Sequence, residues 1–279
     1  MKCGWKEFLS VLPPRLRTEV DMLGRETLEE LHLRRNRPAE LILRGVSQLL
    51  NGVITAEDIQ YVVNTASRYS PWAASTAAQG YVTAPGGHRI GLCGDCVVQA
   101  GHITGIRSAT SLCMRVAREF PGIGANAPKN GSLLILGPPG VGKTTLLRDL
   151  IRCRSQAGQT VAVVDERGEL FPMGDIFSPG PRTDVLTGCS KAQGVEMALR
   201  TMGPRCIAVD EITAGEDCKA LAGAGWCGVE LLATAHARDC DDLKNRNVYR
   251  PLWESRLFDY ALILRQDKTW HMERMGLCT

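Results

Sequence analysis

Eight consecutive residues, Gly137-Pro138-Pro139-Gly140-Val141-Gly142-Lys143-Thr144, fit the pattern G-x-x-x-x-G-K-[ST] in full. Glycines at these spacings let the backbone turn tightly, so that successive N–H groups converge on phosphate oxygens. A helix starting at Thr144 adds the partial positive charge of its N-terminus. Lys143 is then expected to reach the β and γ phosphates and Thr144 to ligate Mg2+, with Thr145 joining the phosphate contacts. The chemistry implied is binding of a nucleoside triphosphate with Mg2+, expected as ATP in an ATPase, although the motif itself does not choose between ATP and GTP.

Three further groups of polar residues follow short apolar runs. Cys206-Ile207-Ala208-Val209 delivers Asp210 and Glu211 to what reads as the C-terminal end of a strand. Ligands of open α/β sheets bind at that edge. Asp210 is expected to hold Mg2+ through water, and Glu211 to orient and polarise the attacking water. Asp165-Glu166 ends the preceding apolar run in the same manner. That pair sits either near the metal and its waters or on the surface, and its presence leaves two acidic pairs competing for the role of base. Leu231-Leu232-Ala233-Thr234-Ala235-His236 is the last group. Thr234 is placed to meet the catalytic water and His236 the γ-phosphate. His32, His88, His102 and His271 have no such company and are given no role.

These residues need a scaffold that brings strand ends together. Short, continuous apolar runs at 133–136, 161–164, 206–209, 231–233 and 261–264 read as strands buried on both faces of a parallel sheet. Helices are predicted between them. Over 144–154, Leu146, Leu147, Leu150 and Ile151 share a face, and over 191–202, Val195, Ala198, Leu199 and Met202 do. Residues 1–125 read as mixed α and β. Strands are expected at 28–33 and 39–43. A helix is expected over 55–69, where Thr55 and Asp58 resemble a cap and Ile59, Val62, Val63 and Ala66 share a face. One hairpin is expected around Pro85-Gly86-Gly87, and a second across 97–106 with Gly101-His102 as its turn. The Gly-, Pro- and Asn-rich stretch 121–131 reads as the linker.

Length and composition agree with two domains. The chain has 279 residues, 44% of them apolar, and 33 basic against 30 acidic side chains. A net charge of +3 makes no strong case for nucleic acid or lipid. The 11 cysteines are odd in number and scattered, which fits free, mostly buried thiols in a reducing cytosol. Cys93 and Cys96 read as two unrelated thiols beside a turn, because no second pair completes a zinc set. No apolar run approaches the ~20 residues of a membrane span, and Lys2, Lys6 and Glu7 interrupt the start where a signal peptide would be apolar. Any service to a membrane would then go through a partner.

The order of P-loop, acidic pair at Asp165-Glu166, Asp210-Glu211 and Ala233-Thr234-Ala235-His236 resembles the secretion ATPases of type II and type IV systems and of pilus motors. Those carry a Walker A motif, an Asp box, a Walker B motif and a His box in that order. Gly80-Tyr81-Val82-Thr83, Gly87-His88-Arg89-Ile90-Gly91-Leu92, Gly105-Ile106-Arg107, Arg182-Thr183-Asp184-Val185-Leu186 and Gly188-Cys189 look more closely like the stage III sporulation AA family of endospore-forming bacteria. That resemblance covers about residues 20 to 265. It implies a RecA/AAA-like parallel-sheet P-loop NTPase domain over 126–279, preceded by a smaller α+β domain over 1–125. It also implies a mother-cell cytoplasmic ATPase that forms a ring-shaped homo-oligomer, expected as a hexamer. The ring would dock on membrane proteins of the channel complex between mother cell and forespore.

The family pattern has an arginine after the Walker B acids, and Ala214 stands there in this sequence. Ring ATPases also need a cation at the γ-phosphate, commonly supplied in trans. Arg115 and Arg118 are the expected candidates, with Arg107 and Arg182 behind them. Two other readings stay open on sequence alone: a P-loop ATPase acting on single-stranded nucleic acid, and an ATP-binding scaffold with little turnover. Against the first, aromatics are only 5% of the chain and no nucleic-acid-binding signature appears.

Overall fold

A computed structural model describes residues 3–67, 80–172 and 177–275. The chain divides into two compact units. One holds the residues up to Arg118, and the other comprises Glu119–Phe171 and the residues from Phe177 on.

The first unit opens with α1 (Trp5–Ser10) and α2 (Pro14–Gly24), neither of which the sequence reading anticipated. Pro14 sits in the first turn of α2, where a missing N–H is tolerated, and Leu16 and Val20 bury one face. The third helix, α3 (Ala56–Ser67), has the expected cap. The Thr55 N–H donates to the Asp58 carboxylate at 2.8 Å, and the Asp58 N–H to Thr55 Oγ1 at 3.2 Å. Ile59, Val62 and Ala66 are buried beneath it. Positions 68 and 69 of the expected helix lie outside the described residues.

Six strands form an antiparallel sheet: β1 (Leu28–Arg34), β2 (Glu40–Leu43), β3 (Val46–Leu49), β4 (Tyr81–Ala84), β5 (His88–Gln99) and β6 (His102–Arg115), in the order β3-β2-β1-β6-β5-β4. The expected pair of hairpins is a single meander, because β5 is long enough to serve both. Its second turn is Ala100-Gly101, one residue before the expected position. Both residues have positive φ, 49° and 80°, as a tight two-residue turn between twisted strands requires. Along β1, Leu31 and Leu33 face a core that includes Phe8, Leu12, Ile54, Ile90 and Met114. Glu30, His32 and Arg34 alternate onto the opposite face.

His88 is fully buried. Its Nε2–H donates to the Gly4 carbonyl at 2.7 Å, and its Nδ1 accepts from the Ala117 N–H at 3.1 Å, which fixes a neutral ring. The Phe8 ring meets it edge-on at 5.1 Å.

The second unit carries a seven-stranded sheet in the order β13-β12-β7-β11-β10-β8-β9. Its strands are β7 (Leu133–Leu136), β8 (Val161–Asp165), β9 (Thr183–Thr187), β10 (Cys206–Val209), β11 (Glu230–Ala235), β12 (Tyr260–Leu264) and β13 (Trp270–Arg274). All neighbours are parallel except β12 and β13. The five expected runs are all strands, while β9 and β13 were not anticipated. Five described helices accompany them: α4 (Lys143–Gln156), α5 (Lys191–Thr201), α6 (Gly215–Trp226), α7 (Cys240–Asn245) and α8 (Arg250–Glu254). Leu146, Leu147, Leu150 and Ile151 of α4 are buried. On α5, Val195 and Ala198 are buried, but Met202 lies past the helix end and is exposed.

Two expectations are corrected. The stretch read as a linker belongs with the second unit: the Gly122 and Gly124 N–H groups donate to the Asp149 carboxylate on α4, at 3.0 and 2.8 Å. The thiols are free but not mostly buried. Only Cys206 and Cys218 of the ten described are buried. Cys93 and Cys96 lie on β5 itself, past Leu92, where that strand has no buried residue.

The loop after β8 is held from two sides. Asp165, at the strand end, accepts from the N–H groups of Glu169, Leu170 and Phe171 at 2.8, 2.9 and 2.9 Å. Arg148 on α4 donates to the Leu170 and Glu169 carbonyls at 2.6 and 2.8 Å. Burial raises the Asp165 carboxyl to about 6 against the pull of those N–H donors, and burial lowers the Arg148 guanidinium to about 10.

Burial lowers the His88 imidazole from 6.5 to about 4. Between those values the unfolded chain binds more protons than the folded one, so stability is full above about pH 6.5 and falls as pH drops towards 4. The loss is on the order of 3 kcal/mol. Thermal unfolding across this range should show the slope, and His88→Gln should flatten it. Asp165→Ala leaves three N–H groups without their acceptor. It should lower stability by about 2–4 kcal/mol, read as a shifted denaturant midpoint for the second unit. An unchanged midpoint would mean that the loop does not depend on this carboxylate.

Candidate nucleotide site

Sheet order and register bring the chemistry-bearing residues to one edge. β11 is inserted between β7, which leads into the P-loop, and β10, which leads into Asp210-Glu211. Val209 is level with Ala233 on one side and Val164 on the other, and Ala235 is level with Leu136. One residue further on, Asp210 therefore lies between Thr234 and Asp165, and His236 lies beside Gly137. The end of a parallel sheet thus lines up the P-loop, the imidazole and the acids in that order.

The P-loop backbone depends on glycine at two points. Gly142 precedes α4 with φ of 107°, a conformation other residues rarely adopt. A Cβ on Gly137 would come within 2.9 Å of Val141 and 3.0 Å of the Leu264 carbonyl. Pro138, Pro139, Gly140 and Val141 complete the loop, with Gly140 also at positive φ and Val141 buried. Lys143 is buried, and its ammonium uses all three donors. Gly137 O accepts at 2.9 Å, Pro138 O at 2.8 Å and His236 Nδ1 at 3.0 Å. Desolvation lowers the Lys143 pKa, while the charges of Asp210 and Glu211 act in the opposite direction.

Asp210 is the meeting point of the acids and hydroxyls. Thr144 Oγ1–H donates to its Oδ2 at 2.7 Å. Thr234 Oγ1–H donates to its Oδ1 at 2.6 Å, and the same Thr234 oxygen accepts from the Glu211 N–H at 2.8 Å. The Thr234 hydroxyl, fully buried on β11, thus clamps the two acidic residues and is already engaged on both sides. Thr144 Oγ1 and Asp210 Oδ2 are hard oxygen donors of the kind Mg2+ takes. Thr145 is half-buried in the first turn of α4.

Glu211 has φ of 49°, a left-handed backbone that a non-glycine residue seldom adopts. Such strain clusters at functional sites. Its Oε1 lies 3.3 Å from His236 Nε2, and its Oε2 3.1 Å from Arg167 Nη1. With Lys143 donating to Nδ1, the imidazole must carry its proton on Nε2, which then donates to Glu211. Lys143, His236, Glu211, Thr234, Asp210 and Thr144 therefore form one hydrogen-bonded circuit that closes through the Lys143–Thr144 peptide. Tyr249 steadies it, because its hydroxyl accepts from the His236 N–H at 3.2 Å and donates to the Ile212 carbonyl at 3.1 Å.

The other expected residues have different company. The Asp165 carboxylate is occupied with its own loop, although the Asp210 charge is among the causes that raise its pKa. Glu166 pairs with Lys191 of α5 at 2.5 Å. Glu166, Lys191, Arg167, Asp210 and Glu211 all line one small cavity. Arg115 and Arg118 belong to the first unit. Arg115 Nε donates to Glu30 at 3.2 Å, and its side chain is 65% exposed. Arg118 donates to the Leu28 and Arg25 carbonyls at 3.0 and 3.2 Å. Arg182 donates to the Gly158 carbonyl. Ala214 precedes α6, where the Asp217 carboxylate accepts its N–H at 3.1 Å. The described cation at Glu211 is instead Arg167, directly after the acidic pair. Only that adjacency to Asp165-Glu166 could have flagged it. Tyr249 and Arg148 left no readable signal, since their partners come from distant segments.

Comparison with known proteins gives this site a setting. Residues 6–274 match the family described as sporulation stage III, protein AA. The chain is 37% identical to stage III sporulation protein AA of Bacillus subtilis, over 94% of this chain and 91% of that one. Among solved structures it resembles the pilus retraction motor PilT with bound ADP, at a TM-score of 0.60 and 17% identity, covering 90% of this chain and 77% of that one. It also resembles the ATPase DotB of Yersinia pseudotuberculosis, at a TM-score of 0.59 and 16% identity, covering 92% and 76%. Those two likenesses establish the fold, a P-loop NTPase architecture. By its sequence over nearly its whole length, the chain belongs to the sporulation stage III, protein AA family.

Proposed function

We propose that this protein binds ATP with Mg2+ and hydrolyses it, as a secretion-type ATPase serving the channel complex between mother cell and forespore. The observation that carries the reading is the circuit from Lys143 through His236, Glu211, Thr234 and Asp210 to Thr144. It gathers, at one sheet edge, a phosphate-binding cation, a carboxylate and hydroxyl suited to a metal, and a base held by an imidazole. Bound Mg·ATP would supply the phosphoryl group and a Lewis acid at its oxygens. The amides of 137–145 would cradle the phosphates, and Lys143 would exchange its carbonyl partners for β and γ oxygens. Thr144 and Asp210 would hold the metal. Glu211 would take the proton of the attacking water once it parts from Arg167, and His236 would meet the γ-phosphate.

The family and fold support a ring-shaped homo-oligomer, proposed as a hexamer, with Arg115 or Arg118 offered to a neighbour's nucleotide. Arg115 is the better placed of the two, since a single exposed ion pair is worth only ~0–1 kcal/mol. Arg118 would have to give up several backbone carbonyls. No described helix is long and apolar enough to cross a membrane. The proposed location is the mother-cell cytoplasm, with attachment to membrane proteins of the complex. Asp165 and Glu166 are proposed to act on the nucleotide site indirectly, by shaping the loop that carries Arg167.

A second reading, an ATP-binding scaffold with little turnover, draws on the fact that both Glu211 oxygens are already held. Steady-state hydrolysis beside nucleotide binding separates the two. Glu211→Gln should lower turnover by about 10²–10⁴-fold while ATP binding persists. Lys143→Ala should lose the binding itself. Equal turnover in wild type and Glu211→Gln would remove Glu211 as the base and leave the scaffold. Single-stranded nucleic acid should not stimulate hydrolysis at any salt concentration.

A further inference from the structure

The first unit carries a second cluster that the nucleotide chemistry does not use. On the face of the sheet turned away from the core, Glu30 and His32 alternate along β1, and Cys113 stands directly opposite His32 on β6. His32 Nε2 lies 3.0 Å from Glu30 Oε2, and Cys113 Sγ lies 3.7 Å from the same oxygen. One donor atom from each of the three residues falls within 4.8 Å of the other two. Arg115 occupies the remaining carboxylate oxygen, Oε1, at 3.2 Å.

We infer that Glu30, His32 and Cys113 form a binding site for a divalent cation of the zinc class. A thiolate, an imidazole and a carboxylate are the three ligand types zinc accepts, and together they exclude the oxygen-only ions Mg2+ and Ca2+. Metal–ligand bonds of about 2.0–2.3 Å place tetrahedral ligand atoms about 3.3–3.8 Å apart. The observed spacing is close enough that side-chain rotation suffices. β1 and β6 are interior strands of the sheet, each paired on both sides, so the ligands stand on fixed backbone. Glu30 Oε2, the oxygen that Arg115 leaves open, faces His32 and Cys113. His32 and Glu30 retain 19% and 33% of their side-chain exposure, which leaves an entry path and a fourth position for water.

The Cys113 thiol is raised above its ordinary pKa, first by burial and then by the Glu30 charge.

The test is titration of the whole chain, without nucleotide, with Co2+ and then with Zn2+ in competition. Wild type should take one equivalent and show a thiolate-to-cobalt charge-transfer band with tetrahedral ligand-field bands, which Zn2+ abolishes. Cys113→Ser should lose the charge-transfer band, and His32→Ala should weaken binding by about 10–100-fold. A variant with both Cys93→Ser and Cys96→Ser should keep the full signal. A band that survives Cys113→Ser, one lost with Cys93 and Cys96, or no band in wild type would each overturn the site.

Discussion

A single carboxylate, that of Asp210, decides how the candidate nucleotide site is put together. It sits at the end of a buried strand and can only accept hydrogen bonds there. The hydroxyls of Thr144 and Thr234 and the N–H of Glu211 supply the donors. Each donor comes from a different feature: the first turn of the P-loop helix, the inserted strand, and a backbone kink of positive φ. The acid thereby fixes the distance from β10 to the P-loop across β11. Two more carboxylates, Asp165 and Glu211, lie beside it, and the Asp210 charge is among the causes that raise the Asp165 carboxyl. The fold answers with cations: buried Lys143 and exposed Arg167 at the site, and buried Arg148 behind the loop. A bound divalent metal would complete the same balance.

Much of this was legible in the sequence. Strands buried on both faces must be apolar throughout, so the five central strands stood out as short runs, and the P-loop fell between one of them and an amphipathic helix. Asp210, Glu211, Thr234 and His236 could be named because each follows such a run. The elements that escaped have weak contrast. The edge strand β9, Thr-Asp-Val-Leu-Thr, has no fully buried residue. The helix α6 is rich in alanine and glycine and has little polar–apolar pattern. What Thr234 does was not legible either. Its hydroxyl clamps Asp210 to the Glu211 backbone, and only the register of β10 on β11 reveals this.

The same limit applies to the arginines and to the first unit. The sequence marked Ala214 as a missing arginine, but it could not show that the loop after Asp165-Glu166 carries Arg167 back to Glu211. Position 214 serves as a helix entry instead. Glu30 and His32 are two residues apart and visibly share a strand face, whereas Cys113 lies some eighty positions away in sequence. That cluster exists only because β1, the first strand of its sheet, pairs with β6, the last in sequence. Long-range strand register is what a single sequence encodes least directly, since a slip of one residue turns every side chain to the other face.

The central claim is that Asp210 and Thr144 act as one unit on the metal that accompanies the nucleotide. The most direct measurement is a double-mutant cycle, Thr144→Val with Asp210→Asn, on the Mg2+-dependent part of ATP affinity. If the two groups hold the metal together, either substitution alone should remove most of that part. The pair together should be little worse, leaving a coupling of about 1–3 kcal/mol. Strictly additive losses, or an Mg2+ dependence untouched by both, would contradict the claim.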